Sequence, residues 1–449
     1  MSKITFLFLF FIAATPVYAQ RDISDDTTNS VEEQSIRTSM EQGPDVTYEQ
    51  ILADPDNLSL NMRYAQTQIR NGDIKGASGT LERMMILMPD NMNIKLLYAA
   101  VLYRLDDIPE AKTVLDGINE NRMSAQKISE KRTLENLIRR HEKKYTLVSR
   151  TALGVAYDTN RNAFPDSSQI VYPSGGILKL NGGKEDDFSM LGMFSADYEL
   201  KAGKRGKNSF FLGGSYYISR QDTANNLNMD ILSGKTGFRF NGQKTAVIPQ
   251  IVYSALWLDG HSYINTAGIS LRTDRMVDSK NTVYAEGRLQ KQDYINYLDN
   301  TGNNDRDGLI TTASLGWKTI PASSMSLDSA FSYTGRNAEK KYYASDAFGG
   351  YINHFWLLGR KKYLISSLSF SEEKYRDVNV LESNFLGSSR TDQIFRGSLN
   401  LGLPLPEKLG GRNISFNLSY EYFHNHSSMK IYSYTNNKIT GILTCRFEI

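Results

Sequence analysis

Asn413-Ile414-Ser415-Phe416-Asn417-Leu418-Ser419-Tyr420-Glu421-Tyr422-Phe423-His424 decides the fold. Ile414, Phe416, Leu418, Tyr420 and Tyr422 share one face, while Ser415, Asn417, Ser419 and Glu421 share the other. A period of two over this length specifies a β-strand with one apolar and one polar side. The same alternation recurs from Lys144 to Ile449, with turns rich in Gly, Asn, Asp and Lys between the segments. Fourteen strands are predicted, at 145–158, 187–200, 209–219, 229–240, 246–258, 263–273, 281–291, 308–318, 324–334, 346–357, 363–373, 390–402, 413–424 and 437–447. The number is even, as single-chain bacterial outer-membrane barrels require. A long series of such strands without an intervening helix predicts a closed antiparallel transmembrane β-barrel, apolar outside and polar inside.

The alternation assigns faces. In the first strand Tyr145, Leu147, Leu153, Val155 and Tyr157 point outward, and Arg150, Gly154 and Asp158 inward. In the twelfth, Phe395, Leu399 and Leu401 point outward, and Arg390, Asp392, Arg396 and Asn400 inward. The expected lumen therefore carries both signs of charge: Arg150, Asp158, Lys235, Arg239, Glu286, Arg288, Asp328, Arg390, Asp392, Arg396, Glu421 and Arg446. A barrel of this strand number suits small solutes and is too narrow for a folded protein. Pro249 removes a ladder donor from the fifth strand, where a bulge is expected. Connections after odd strands are long (159–186, 292–307, 335–345, 374–389, 425–436), apart from 259–262. Those after even strands are mostly short, as at 241–245, 319–323 and 358–362. Long loops face outward and short turns face the periplasm. Basic turns, with Lys201, Lys204, Arg205 and Lys207 in one and Arg360, Lys361 and Lys362 in another, suit contact with outer-membrane lipid headgroups, with docking of an acidic periplasmic partner as the alternative.

The residues before the barrel follow other rules. Met1–Lys3 is a short basic start, Ile4–Ala14 is apolar but too short to span a bilayer, and Val17-Tyr18-Ala19 is a small-x-small site. Residues 1–19 are therefore read as a secretory signal peptide. Residues 20–45 are polar and read as a flexible arm. Over 46–143 the period changes. Pro55-Asp56-Asn57 recurs as Pro89-Asp90-Asn91, and Tyr64, Ala65, Ala77 and Leu81 recur as Tyr98, Ala99, Ala111 and Leu115, all displaced by 34 residues. That is the tetratricopeptide period. Helices are expected at 46–53, 58–71, 74–87, 92–105, 108–118 and 124–143. The first helix of each pair conventionally lines a concave binding face. Met62, Gln66, Arg70, Leu96, Tyr103 and Arg104 are the client-binding candidates there. The expected fold is α+β and multidomain, a helical solenoid over 46–143 followed by a barrel over 144–449.

Charge and chemistry exclude much. A formal charge of +3 gives no argument for nucleic acid. Charged residues at 22% disfavour a helical membrane protein, a test that barrels escape. The single cysteine, Cys445, excludes an intramolecular disulfide. His424 and His426 share a strand face but lack a third ligand, so no metal site is assigned. No catalytic constellation, phosphate loop or cofactor motif is present, and the chain is not read as an enzyme.

The combination resembles the surface lipoprotein assembly modulator family of Gram-negative bacteria. The resemblance rests on Leu418-Ser419-Tyr420-Glu421-Tyr422, Asn425, Ser427-Ser428, Ile431-Tyr432-Ser433-Tyr434 and Arg446-Phe447, which look like that family's final hairpin. Ser389-Arg390-Thr391-Asp392 and Tyr157-Asp158-Thr159-Asn160 look like its strand ends. The closing Ile449 departs from the aromatic end of a barrel insertion signal. The resemblance implies an outer-membrane translocon for a surface lipoprotein or secreted protein. Its helical domain would engage the client or a periplasmic chaperone, and barrel assembly machinery would insert it. A seam between strands one and fourteen is one route for the client. An exopolysaccharide export porin and a passive diffusion porin are the alternatives.

Overall fold

The structure, a computed structural model, describes residues 45–449 except 172–175, 203–207, 243, 279, 297–301, 323, 360–361, 379–386 and 407–412. The predicted signal peptide, most of the polar arm, and the turn residues Lys204, Arg205, Lys207, Arg360 and Lys361 lie outside the described residues. The chain divides into a helical unit and a barrel unit.

Six α-helices build the first unit among the described residues: α1 Tyr48–Ala53, α2 Leu58–Arg70, α3 Ile74–Leu87, α4 Met92–Arg104, α5 Ile108–Asp116 and α6 Ala125–Glu142. Each start has a local cause. Asn57, Asp73, Asn91 and Ser124 accept a hydrogen bond from a backbone N–H of the first turn, satisfying a donor that the helix itself leaves open. Gly72 and Asp106 sit one repeat apart in the turns, both with left-handed φ, at 81° and 64°. Ala65, Ala77, Ala99 and Ala111 are all 0% exposed, because small side chains let the paired helices approach. Ile69, Leu81, Met84, Ile94, Leu115 and Leu134 fill the core around them.

The second unit is a closed fourteen-stranded antiparallel barrel. Its strands are β1 Tyr145–Asp158, β2 Asp187–Ala202, β3 Asn208–Gln221, β4 Met229–Asn241, β5 Thr245–Leu258, β6 His261–Met276 and β7 Asn281–Tyr294. They continue as β8 Gly308–Ala322, β9 Met325–Arg336, β10 Ser345–Gly359, β11 Lys362–Tyr375, β12 Thr391–Pro404, β13 Ile414–Ser427 and β14 Tyr434–Glu448. Each strand pairs with its sequence neighbour, and β1 pairs with β14 to close the ring. Leu153, Val155, Met190, Leu315, Phe331, Leu368 and Phe447 are exposed on the outside, the pattern of a lipid-facing band. A short hairpin of Gln169–Val171 and Ile177–Lys179 decorates the β1–β2 connection. Pro249 leaves no bulge. The β4–β5 register runs from Gly237↔Gln250 to Phe240↔Val247 without a shift, and only the two pairs between are missing. The irregularity of β5 lies instead on its other edge, between Leu256 and Trp257.

The closing ladder is continuous. It runs from Val148↔Glu448 to Asp158↔Lys438. Leu147 and Ile449 exchange both backbone hydrogen bonds, at 3.1 and 2.9 Å. Gly154 makes this approach possible. A Cβ there would run into the Gly441 carbonyl oxygen and stand 2.9 Å from the Ile442 Cα. Gly154→Ala is therefore expected to lower the yield of folded, heat-modifiable barrel on electrophoresis, with an overpacking cost of about 1–3 kcal/mol. Gly214→Ala, where a Cβ meets nothing closer than 3.8 Å, should leave the yield unchanged and serves as the control.

Candidate functional site: the barrel interior

Period-two alternation puts every second side chain of fourteen strands into one confined space. The charges there pair both across neighbouring strands and along one strand, two residues apart. In the periplasmic half, Arg150 Nη1 lies 3.2 Å from Asp197 Oδ2, and Lys235 Nζ lies 4.0 Å from Asp197 Oδ1. Arg288 pairs with Glu286 at 2.8 Å. Arg272 donates to Asp274 at 2.7 Å and lays its guanidinium 3.9 Å from the centre of the Tyr284 ring. The Tyr284 hydroxyl donates to Asp328 at 2.7 Å and lies 2.6 Å from the Tyr351 hydroxyl. Phe355 and Ile365 are fully buried on the inner face near the same end, where the Tyr363 hydroxyl donates to Asn417. Arg239 stands opposite Ser209, and Arg446 pairs with Glu448 at 2.9 Å.

The outer half is more densely filled. Leu191, Tyr217, Ile231, Leu256, Leu258 and Ile264 form an apolar cluster inside one wall. Arg396 faces Glu421 at 3.9 Å, and Lys438 faces Asp158 at 3.5 Å. Arg390 and Asp392 are buried together, with Nε 3.2 Å from Oδ2 and Asp392 0% exposed. Pairing of this kind is what a charge withdrawn from water requires. Arg306 adds a further aromatic contact, with its guanidinium 5.0 Å from the Tyr343 ring and Nη1 donating to the Tyr263 hydroxyl at 3.2 Å.

The β1–β2 connection folds onto the β14 end. Asn160 is buried, and its side-chain amide donates to the carbonyls of Phe164 and Thr435. Asp166 accepts from the Thr435 backbone and hydroxyl, both at 3.0 Å, and pairs with Lys184 at 2.8 Å. Burial by itself would raise the Asp166 carboxyl, but Lys184 and the two Thr435 donors outweigh it. The group lies below the usual carboxylate range.

The predicted lumen residues Arg150, Asp158, Glu286, Arg288, Arg390, Asp392, Arg396 and Glu421 each have an oppositely charged neighbour within 4 Å in this arrangement. Sequence reasoning missed Asp197, Arg272, Asp274, Tyr284, Lys438 and Tyr432. All but Tyr432 follow from extending the inward phase along their own strands. Tyr432 lies in a connection, where alternation assigns no face. The predicted helical groove is only partly a surface. Leu96 is 6% exposed within the core, and Met62 and Tyr103 pack against that core. Gln66 is half-buried, and Arg70 pairs with Asp45 at 2.6 Å. His424 and His426 stand with ring centres 6.4 Å apart, and His424 Nδ1 meets the Thr435 hydroxyl. Among the described residues no three metal-donor side chains come together.

Comparison with known proteins places this barrel. Residues 149–447 match the model of a family described as surface lipoprotein assembly modifier. The chain belongs to that family. The closed fourteen-stranded barrel is that of an outer-membrane protein of Gram-negative bacteria, and the family's description implies a lipoprotein client. Among solved structures, similar barrels include the outer-membrane channel DcaP of Acinetobacter baumannii (11% identity, 68% of this chain, 97% of that chain, TM-score 0.38). A Pseudomonas aeruginosa FadL homologue matches at 6% identity, with 68% and 90% coverage and a TM-score of 0.36. A bacterial polysaccharide outer-membrane secretin matches at 9% identity, with 66% and 98% coverage and a TM-score of 0.35. These likenesses carry no argument about function. A search of curated proteins returned no match.

The depressed Asp166 carboxyl sets a pH dependence. Its stabilising contribution is present above the unfolded carboxylate range and is lost as pH falls through the lower folded value, below about 4. Hydrogen exchange across 159–186, corrected for intrinsic rates, is expected to speed up in that acid window. In Asp166→Asn the segment should already exchange fast at pH 7 and show no further acid transition.

Proposed function

We propose that this protein is an outer-membrane translocon that delivers a lipoprotein, or a related secreted protein, from the periplasm to the cell surface. The match of 149–447 to the surface lipoprotein assembly modifier family carries the reading. The barrel interior supports it against a passive diffusion porin. Inward side chains are buried at both ends, among them Phe355, Ile365, Tyr284, Leu258, Ile264 and Asp392, where a wide aqueous channel would leave them hydrated.

The helical unit is the element that engages the client or a periplasmic chaperone. Its 34-residue repeat and its paired helices support a tetratricopeptide-like binding face. Gln66, Arg70 and Arg104 are the polar members of the proposed contact, with Met62 and Tyr103 as partly exposed apolar members. Barrel assembly machinery is the proposed insertion partner, and outer-membrane lipids surround the apolar band. The closed β1–β14 ladder makes the described state a resting one, from which a client route has to open, through the lumen or along that seam.

Deleting the gene should remove surface lipoprotein from reach of externally added protease, while its total cellular amount stays near normal. Complementation with the full chain should restore the exposure. Unchanged protease access for every surface lipoprotein in the deletion strain would end this reading.

A further inference from the structure

The β13–β14 connection, Ser428–Ser433, is at the outer end of the barrel, yet Met429 and Tyr432 are buried. Tyr432 reaches the Arg390 guanidinium, which lies 3.9 Å from the centre of its ring and 3.9 Å from the centre of the Tyr375 ring. Arg390 is therefore a plate held between two aromatic faces, one from the end of β11 and one from the connection. Its charge is met by Asp392, whose other oxygen accepts from Ser427 Oγ at 2.6 Å. The rest of the connection is tied to the same strand ends. Asn425 Nδ2 donates to the Tyr432 carbonyl at 2.7 Å, and the Ser428 N–H donates to the Thr391 carbonyl at 2.8 Å. The Asp166 N–H donates to the Ser433 carbonyl at 2.9 Å, joining the β1–β2 connection to the same assembly.

We propose that the β13–β14 connection is a lid on the outer mouth and that Arg390, clamped between Tyr375 and Tyr432, is the latch that holds it shut. The latch binds strongly enough to seal, because a cation between two rings gains most where water is excluded. It is also reversible. The closed state buries an arginine and an aspartate away from water, and opening returns both to solvent. The Tyr434 hydroxyl beside them is buried with no hydrogen-bond partner among the described residues, a further cost of closure. Closed and open states that each carry such opposing terms form a bistable element, which a passing segment can shift. The latch acts at the mouth itself, whichever client the barrel carries.

The test uses the full-length protein in planar bilayers, with C445S as the background for labelling. Wild-type protein should conduct little. R390A and Y432A should raise the time-averaged conductance roughly tenfold, the shift expected from losing one stacked cation contact. R390K keeps the charge but loses the planar stack, and should open to an intermediate degree. Y432F keeps the ring and should stay closed. Ser433→Cys, at a buried lid position, should react slowly with a membrane-impermeant maleimide added outside, about tenfold faster in the Y432A background, and at an intermediate rate once R390K is introduced. If R390A does not assemble, R390K and Y432F with the labelling readout decide the matter. Conductance and labelling equal to wild type in folded R390K and Y432A protein would overturn the latch.

Discussion

The ladder between β1 and β14 is the constraint on which the rest depends. A sheet in a bilayer has no water to satisfy an open edge, so its first and last strands must find each other. Here they do so over eleven paired residues, and the backbone is continuous to Leu147 and Ile449. Gly154 is the local condition for that approach, since any side chain would meet the backbone of β14. Closure then imposes the chemistry of the interior. Once half of every strand faces a confined lumen, charges lose bulk water and must be neutralised by neighbours. Arg150 with Asp197, Arg288 with Glu286, Lys438 with Asp158 and Arg390 with Asp392 answer that demand at successive heights.

A translocon has two conflicting obligations, to keep the outer membrane sealed and to pass a polypeptide. The interior answers the first with packed side chains rather than with a narrow but open bore. Apolar residues of β2–β6 fill one wall of the outer half, and arginines against tyrosines occupy the other side. Such contacts are local and side-chain based, so they can be exchanged without breaking the barrel's backbone ladder. The helical unit is built on a different principle. Four alanines at 0% exposure set the helix spacing, and side-chain caps fix where each helix begins.

Much of this was legible in the residues. The inward positions Arg150, Glu286, Arg396 and Glu421 are where alternation put them, because a pleated strand has a period of two and no freedom to depart from it over a bilayer's width. The 34-residue displacement likewise located the helices, since repeated packing demands repeated small residues. What failed was local. Leu96 was expected on a binding face and is in the core, because α4 is covered on several sides by α3, α5 and α6 rather than on one stripe. Pro249 was expected to bulge its strand. The ladder tolerates two missing pairs there instead, and the register on either side holds.

The sequence by itself determined the strands, their facing, the even strand number, the outward end and the helical repeat. Each of these is a periodicity or a loop length, and both are written along the chain. Only the tertiary structure decided which charges meet. Arg150 and Asp197 are 47 residues apart, and the partners of Arg390 come from a preceding strand end and a following loop. Partners two residues apart, such as Glu286 and Arg288, share a strand face, but the choice of a partner on another strand depends on cross-strand register and on where connections fold, and neither leaves a pattern within a single segment. For the same reason the facing of Tyr432 is set by its loop, which turns the ring inward onto a buried arginine.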